Sequence, residues 1–334
     1  MAAFEETGPS TPVVIATRVD KVNPRARLAG KLRAALVIVF AVIGLIPVLV
    51  MIATAFKTRT DILASPPLIF FQPTLQGFVN LFTDRAIVAP GRMEEFKQRA
   101  QTGEMTLWER VAFEMGQEIT GVSDYVARLQ NSLIIAGLST VASVVLGLFA
   151  AYAFSRFKIP GKDDLLFFIL STRMLPAVVV TIPIFLMYRQ VSLTDTHLGM
   201  TLLYTAFNLS FSVWLLKGFI DEIPKEYEEA ALVDGYTRWQ AFYKIVLPQA
   251  VTGIAATTVF CLIFAWNEYA FALMLTSDRA RTAPPSIATM LGSGGIEWSG
   301  IAAGSLGFLI PVVIITFALR RYLLRGITFG AIRQ

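Results

Sequence analysis

The sequence predicts an all-α integral membrane protein with six transmembrane helices, on three observations. Of its 334 residues, 55% are hydrophobic and only 16% charged, whereas charged residues make up about a quarter of an ordinary soluble domain. Six apolar runs are each long enough to cross a hydrocarbon core of about 30 Å at a helical rise of about 1.5 Å per residue. When these runs are threaded alternately through a bilayer, the basic residues beside them collect on one side, as orientation by positive charge requires. Only helices and closed barrels satisfy every backbone group in lipid, and runs this long and apolar read as helices.

Residues 1–33 are polar and carry Arg18, Lys21, Arg25, Arg27, Lys31 and Arg33. The apolar run that follows is too long for a secretory signal and lacks a small-residue cleavage site. This segment therefore reads as a retained cytoplasmic tail, and 34–334 as one six-helix transmembrane domain. The spans are predicted at 34–56, 132–154, 165–188, 198–219, 251–275 and 301–322. An even number places both termini on one face. Arg156, Lys158 and Lys162 after the second span, and Arg320, Arg321, Arg325 and Arg333 at the end, fall there too, so that face is cytoplasmic. Pro176 and Pro183 are predicted to bend or break the third span.

Residues 57–131 form an external, periplasmic loop. Its part from about 84 to 122 is charged and mixed, and reads as an insertion with a short helix faced by Leu107, Val111, Phe113 and Met115. Loops of this length carry either function or structure of their own.

Several function classes are excluded by counting. The net charge of +5 orients the chain in lipid and is not a nucleic-acid signal. Cys261 is the only cysteine and His197 the only histidine, so no intrachain disulfide and no Cys or two-His metal cluster can form; His197 reads as a plain loop residue. Gly292-Ser293-Gly294-Gly295 lacks the Lys-Ser/Thr of a nucleotide loop and a strand-to-helix setting. No cofactor site is read in this chain, and ATP, if it drives the protein, belongs to another polypeptide. An intramembrane enzyme would need a nucleophile–base pair or metal cluster within the spans, and none is present. A secondary transporter would show internal repeats and a chain of ionisable groups.

Two ionisable residues lie inside spans, where a charge costs about 2.5–3.5 kcal/mol near the centre. They are Arg173, in Thr172-Arg173-Met174-Leu175-Pro176, and Glu268, in Trp266-Asn267-Glu268-Tyr269. Either they face a pathway, where Tyr204, Asn208 and Asn267 would offer hydrogen bonds to hydroxyls, or they join helices to one another. Spacing leaves both open.

The segment 223–248, IPKEYEEAALVDGYTRWQAFYKIVLP, is the one long polar stretch in the second half of the chain. Pro224 suits a helix start and Pro248 is predicted to close the stretch. A short polar helix between two spans cannot cross a membrane and reads as a docking element. Its acidic face suits anionic lipid poorly.

Within it, Glu229-Ala230-Ala231, three residues, Gly235, nine residues, Ile245, one residue and Leu247-Pro248 resemble the EAA pattern of bacterial ABC-importer permeases. Every fixed position is filled at the family's spacing. The stretches 172–176 and 266–269, together with Arg325-Gly326-Ile327-Thr328-Phe329-Gly330-Ala331, are similar to the carbohydrate-uptake class, which includes the shorter permease of the maltose importer. The resemblance covers most of 34–334; the 84–122 insertion departs from it. It implies that Glu229, Ala230, Ala231, Asp234, Gly235, Ile245, Leu247 and Pro248 belong to a cytoplasmic coupling helix between helices 4 and 5, seated on an ATPase. It also implies a second, related permease (a heterodimer), two ATPase subunits holding ATP and Mg, a periplasmic substrate-binding protein, surrounding membrane lipid and no nucleic acid. The implied cargo is a sugar, polyol or glycoside. The EAA pattern is shared with importers of amino acids and peptides, which stay open as alternatives.

Overall fold

A computed structural model describes the backbone of residues 24–292 and 295–329. The first 23 residues of the predicted tail, Ser293 and Gly294 of the glycine stretch, and the chain from Gly330 onward lie outside the described residues. Contacts divide the chain at Val50 into two units.

The first unit holds most of α1 (Pro24–Ala55). This helix begins well before the predicted span, because the basic residues ahead of Ala34 continue it. Its side chains from Leu36 to Val50 are apolar and, apart from the half-buried Val48, exposed, the pattern of a helix solvated by something other than water.

The second unit starts at Met51. After α2 (Arg59–Leu63) and α3 (Gln76–Phe82), the strand β1 (Thr83–Ile87) leads into α4 (Met93–Thr102), α5 (Leu107–Glu114) and β2 (Gln117–Val122). The strands pair antiparallel from Thr83↔Val122 to Ile87↔Gln117, with an irregularity at Asp84/Arg85. Val88, Phe96 and Met105 form a small separate core beneath them, and Phe96 stacks on Phe113 with centroids 5.9 Å apart. Thr106 and Glu109 close a reciprocal capping box that starts α5. The sequence predicts one short helix here; the segment holds two helices and a strand pair, with Leu107, Val111 and Phe113 on α5, Leu107 exposed, and Met115 just past the helix end.

Among the described residues, four helices are long and apolar enough to cross a membrane, and up to six spans result if each of two bent pairs counts as one. The helix α6 (Tyr125–Arg156) packs most extensively against α9 (His197–Asp221). A Cβ on Gly147 would lie 2.2 Å from the Ser212 Oγ, so a glycine is what lets these helices approach. Between them run α7 (Lys162–Ser171), a 3-10 turn at Thr172–Met174 and α8 (Ala177–Gln190). The two halves of this third span meet at 93°. Leu175 is extended, as a residue before proline prefers, so Pro176 makes the break; Pro183 is accommodated inside α8.

After α9 come α10 (Glu226–Val233), α11 (Arg238–Ala241), a π-helical turn at Phe242–Val246 and α12 (Leu247–Gln249). Pro248 does not end the stretch: the helix runs through it, and a 72° bend falls before α13 (Val251–Trp266). The predicted fifth span is also discontinuous. It stops at Trp266 and restarts as α14 (Ala270–Leu275), and α15 (Ala283–Ala288), a short strand pair β3 (Leu291–Gly292) and β4 (Gly295–Ile296), and α16 (Trp298–Phe329) follow.

At the end of the bundle nearest the insertion, Asp195 joins separate elements. Its carboxylate accepts the backbone N–H groups of Ser277, Asp278, Arg279 and Ala280 at 3.0–3.2 Å. Burial alone would raise this carboxyl, but those N–H groups outweigh it and hold the acid below its ordinary range. Alongside, Asn131 donates to the Arg279 and Arg281 carbonyls and pairs with the His197 Nε2 at 2.7 Å. His197 is therefore the first residue of α9 and a packing partner of α6, not a plain loop residue.

Candidate functional site

The segment 223–248 folds into a helical hairpin for local reasons. Gly235 takes φ +87°, the left-handed geometry that glycine adopts freely. The Gly235 N–H reaches the Leu232 carbonyl and the Tyr236 N–H the Ala231 carbonyl, so α10 ends in a Schellman motif. Two residues on, Thr237 and Gln240 cap one another reciprocally and start α11. Glu229, Ala230, Asp234 and Gly235 are exposed around the turn, Ala231 is buried, Ile245 and Leu247 are half-buried, and Pro248 is exposed.

The hairpin is fixed from below by residues that the sequence reading did not single out. Glu228, buried beside the exposed Glu226 and Glu229, forms an ion pair with Arg156 at the end of α6 and accepts the Tyr152 hydroxyl at 2.9 Å. Glu228 and Ala231 share a helix face, which is the signal that could have found it.

The other predicted residues meet where the two broken spans face each other. A cavity of about 280 Å³ is lined by Arg173, Tyr204, Asn208 and Glu268, with Phe207, Phe264 and Phe271 as aromatic walls. The size is at the lower end of small-molecule sites. Arg173 sits on the 3-10 turn ahead of Pro176, donates to the Phe207 carbonyl at 2.8 Å and to the Asn208 Oδ1 at 3.3 Å, and lies 4.2 Å above the Phe264 ring. Asn208 in turn donates to the Cys261 carbonyl at 3.0 Å. Glu268 accepts the Tyr204 hydroxyl at 2.7 Å and the N–H groups of Phe271 and Ala272. It thereby caps α14 and produces the break after Trp266. Asn267 stands apart. It is exposed, donates to the Ile263 carbonyl at the end of α13 and does not line the cavity. Arg173 and Glu268 thus both join helices and line one cavity.

Comparison with known proteins shows the family. Residues 143–329 match the family described as "Binding-protein-dependent transport system inner membrane component". The chain belongs to this family. The permease is 30% identical over 295 residues to a probable ABC transporter permease of Sinorhizobium fredii, covering 88% of this chain and 92% of the relative. It is 38% identical over 208 residues to the trehalose transport system permease SugB of Mycobacterium tuberculosis, covering 61% and 76%. It is 30% identical over 298 residues to the trehalose/maltose transport system permease MalG of Thermococcus litoralis, covering 89% and 94%. Among solved structures, a chain of a bacterial ABC transporter that imports the acidic polysaccharide alginate superposes with a TM-score of 0.62 at 20% identity, covering 90% of the permease and 98% of that chain. The permease is thus an inner-membrane component of an ABC transport system, a transport subunit rather than a catalytic one.

Proposed function

We propose that this permease translocates a sugar, polyol or glycoside as one half of a heterodimer with a second, related permease. In this reading two ATPase subunits hold ATP and Mg, a periplasmic binding protein delivers the solute, and both termini face the cytoplasm. The relatives named for trehalose and maltose carry the choice of cargo. The cavity agrees with it chemically: flat aromatic faces suit the C–H faces of a sugar ring, and a guanidinium, a phenol, an amide and a carboxylate suit its hydroxyls. Broken helices that end at a binding cavity are a recurrent transporter arrangement. The 229–248 hairpin is the coupling element. Glu229 and Asp234 offer charge to an ATPase cleft, while Ala230 and Gly235 are small enough for close backbone approach.

The test is purification of the tagged permease from its native membrane in mild detergent, identification of its partners, and reconstitution in liposomes. Recovery of an ATPase and a second permease, with sugar uptake that needs ATP, is the expected result. Uptake without ATP by the permease alone would overturn the reading, and ATP-driven uptake of amino acids but not sugars would overturn the cargo.

A further inference from the structure

The polypeptide joins the hairpin 226–249 to the bundle through two weak links. On one side, Glu222 to Lys225 interrupt the helical run between α9 and α10. On the other, the π-helical turn at Phe242–Val246 and the 72° bend before α13 interrupt the helix. A π turn and a bend are places where a helix yields, so neither connection acts as a stiff rod.

Side-chain packing supplies the stiff connection: Leu216 and Ile220 of α9 share a buried core with Phe242 and Val246, and the polar and aromatic contacts come from α6. Phe149, Tyr152 and Arg156 lie three and four residues apart and so form one stripe on the last turns of α6. Phe149 stacks on Trp239 of α11 with centroids 6.0 Å apart and planes 23° apart. Tyr152 packs against Phe242 at 4.6 Å and donates to Glu228. Arg156 pairs with Glu228, both side chains under 10% exposed (6% and 9%), and also donates to the Ile223 carbonyl at 2.9 Å. The stripe therefore holds α10, α11 and the turn after them. A buried ion pair breaks at high cost when one partner moves away, which makes this joint stiff in a way that surface contacts are not.

We propose that Phe149, Tyr152 and Arg156 are positioning residues that make the hairpin and α6 move as one body, so that force applied to the hairpin by an ATPase enters the bundle through α6. This rests on the coupling role given to the hairpin above. The side chains act through Glu228 and Trp239 and need touch neither the ATPase nor the solute.

The test uses the assembled importer reconstituted with its binding protein, in a Cys261→Ala background. The pair Arg156→Cys and Glu228→Cys removes the ion pair, and a short thiol-reactive bifunctional linker then rejoins the two positions. Before linking, ATPase subunits should still co-purify and basal hydrolysis should persist, but stimulation by loaded binding protein should fall by about fivefold or more. After linking, stimulation should return. Tyr152→Phe, which keeps the ion pair, should lower stimulation by about threefold with unchanged complex yield, and it decides the matter if the double variant fails to fold. Full stimulation in the unlinked double variant or in Tyr152→Phe, loss of the ATPase subunits, or no recovery on linking would each overturn the proposal. If the unaltered permease brings down no ATPase, the coupling reading itself fails instead.

Discussion

Tyr204 on α9 donates its hydroxyl to Glu268 at 2.7 Å, and the same carboxylate takes the first free N–H groups of α14. One side chain thus joins two spans, starts a helix and faces the cavity. Hydrogen bonds to a charged acceptor contribute about 1.5–3 kcal/mol each. Tyr204→Phe should lower the stability of the detergent-solubilised permease by an amount in that range. Glu268→Ala should cost more, because it also uncaps α14. Thermal unfolding of the two variants side by side checks the order.

Arg173 combines a cation–π contact with Phe264, 4.2 Å from the ring centroid, and a donor reaching two acceptors. Lysine keeps the charge but not the planar stack or the fork. Arg173→Lys should lose about 0.5–1 kcal/mol of cation–π interaction and raise the apparent KM for uptake severalfold at unchanged expression. A lower unfolding temperature with an unchanged KM would assign Arg173 to helix joining alone.

Gly235 occupies a backbone conformation that costs an L-residue roughly 1–2 kcal/mol, at φ +87°. Gly235→Val should leave membrane insertion intact and abolish substrate-stimulated ATP hydrolysis, because the turn that presents Glu229 and Asp234 is rebuilt. Membrane fractionation together with ATPase assay of the complex reads both outcomes.

The acid at position 195 makes a pH prediction. Its folded pKa lies below its ordinary value because four N–H groups outweigh burial. Its contribution to stability is therefore full above the ordinary carboxylate pKa and is lost as pH falls through the lower folded value. The unfolding temperatures of the natural protein and of Asp195→Asn should differ at pH 6, and the gap should narrow as pH falls below the ordinary carboxylate value. A gap of constant size would contradict the assignment.

Much of this was legible in the sequence, and the gaps have physical reasons. Apolar run length located the spans, and Pro176 announced the break in the third. The break in the fifth carried no proline or glycine; it comes from Glu268 capping a helix start, and side-chain direction is invisible to run length. The segment 223–248 reads in sequence as one short polar helix; the left-handed turn at Gly235 and the Thr237–Gln240 cap divide it into a hairpin. Its anchor was hidden, because three glutamates stand within four positions of α10 and only folding shows that Glu228 meets Arg156, 72 residues away. The strands of the insertion escaped because five- and six-residue segments of mixed polarity leave no clear alternation.

The pairing of Thr83 with Val122, continued by the Ser123 N–H to the Phe82 carbonyl at 3.0 Å, closes the segment 84–121 at its base. Entry and exit leave side by side, and Trp108 of α5 packs edge-on against Phe82 of α3. Excision from 84 to 121 in favour of a tight turn should leave α3 and α6 in place. By the same geometry, a change of length between residues 84 and 121 need not alter the spacing at which α3 leaves and α6 begins.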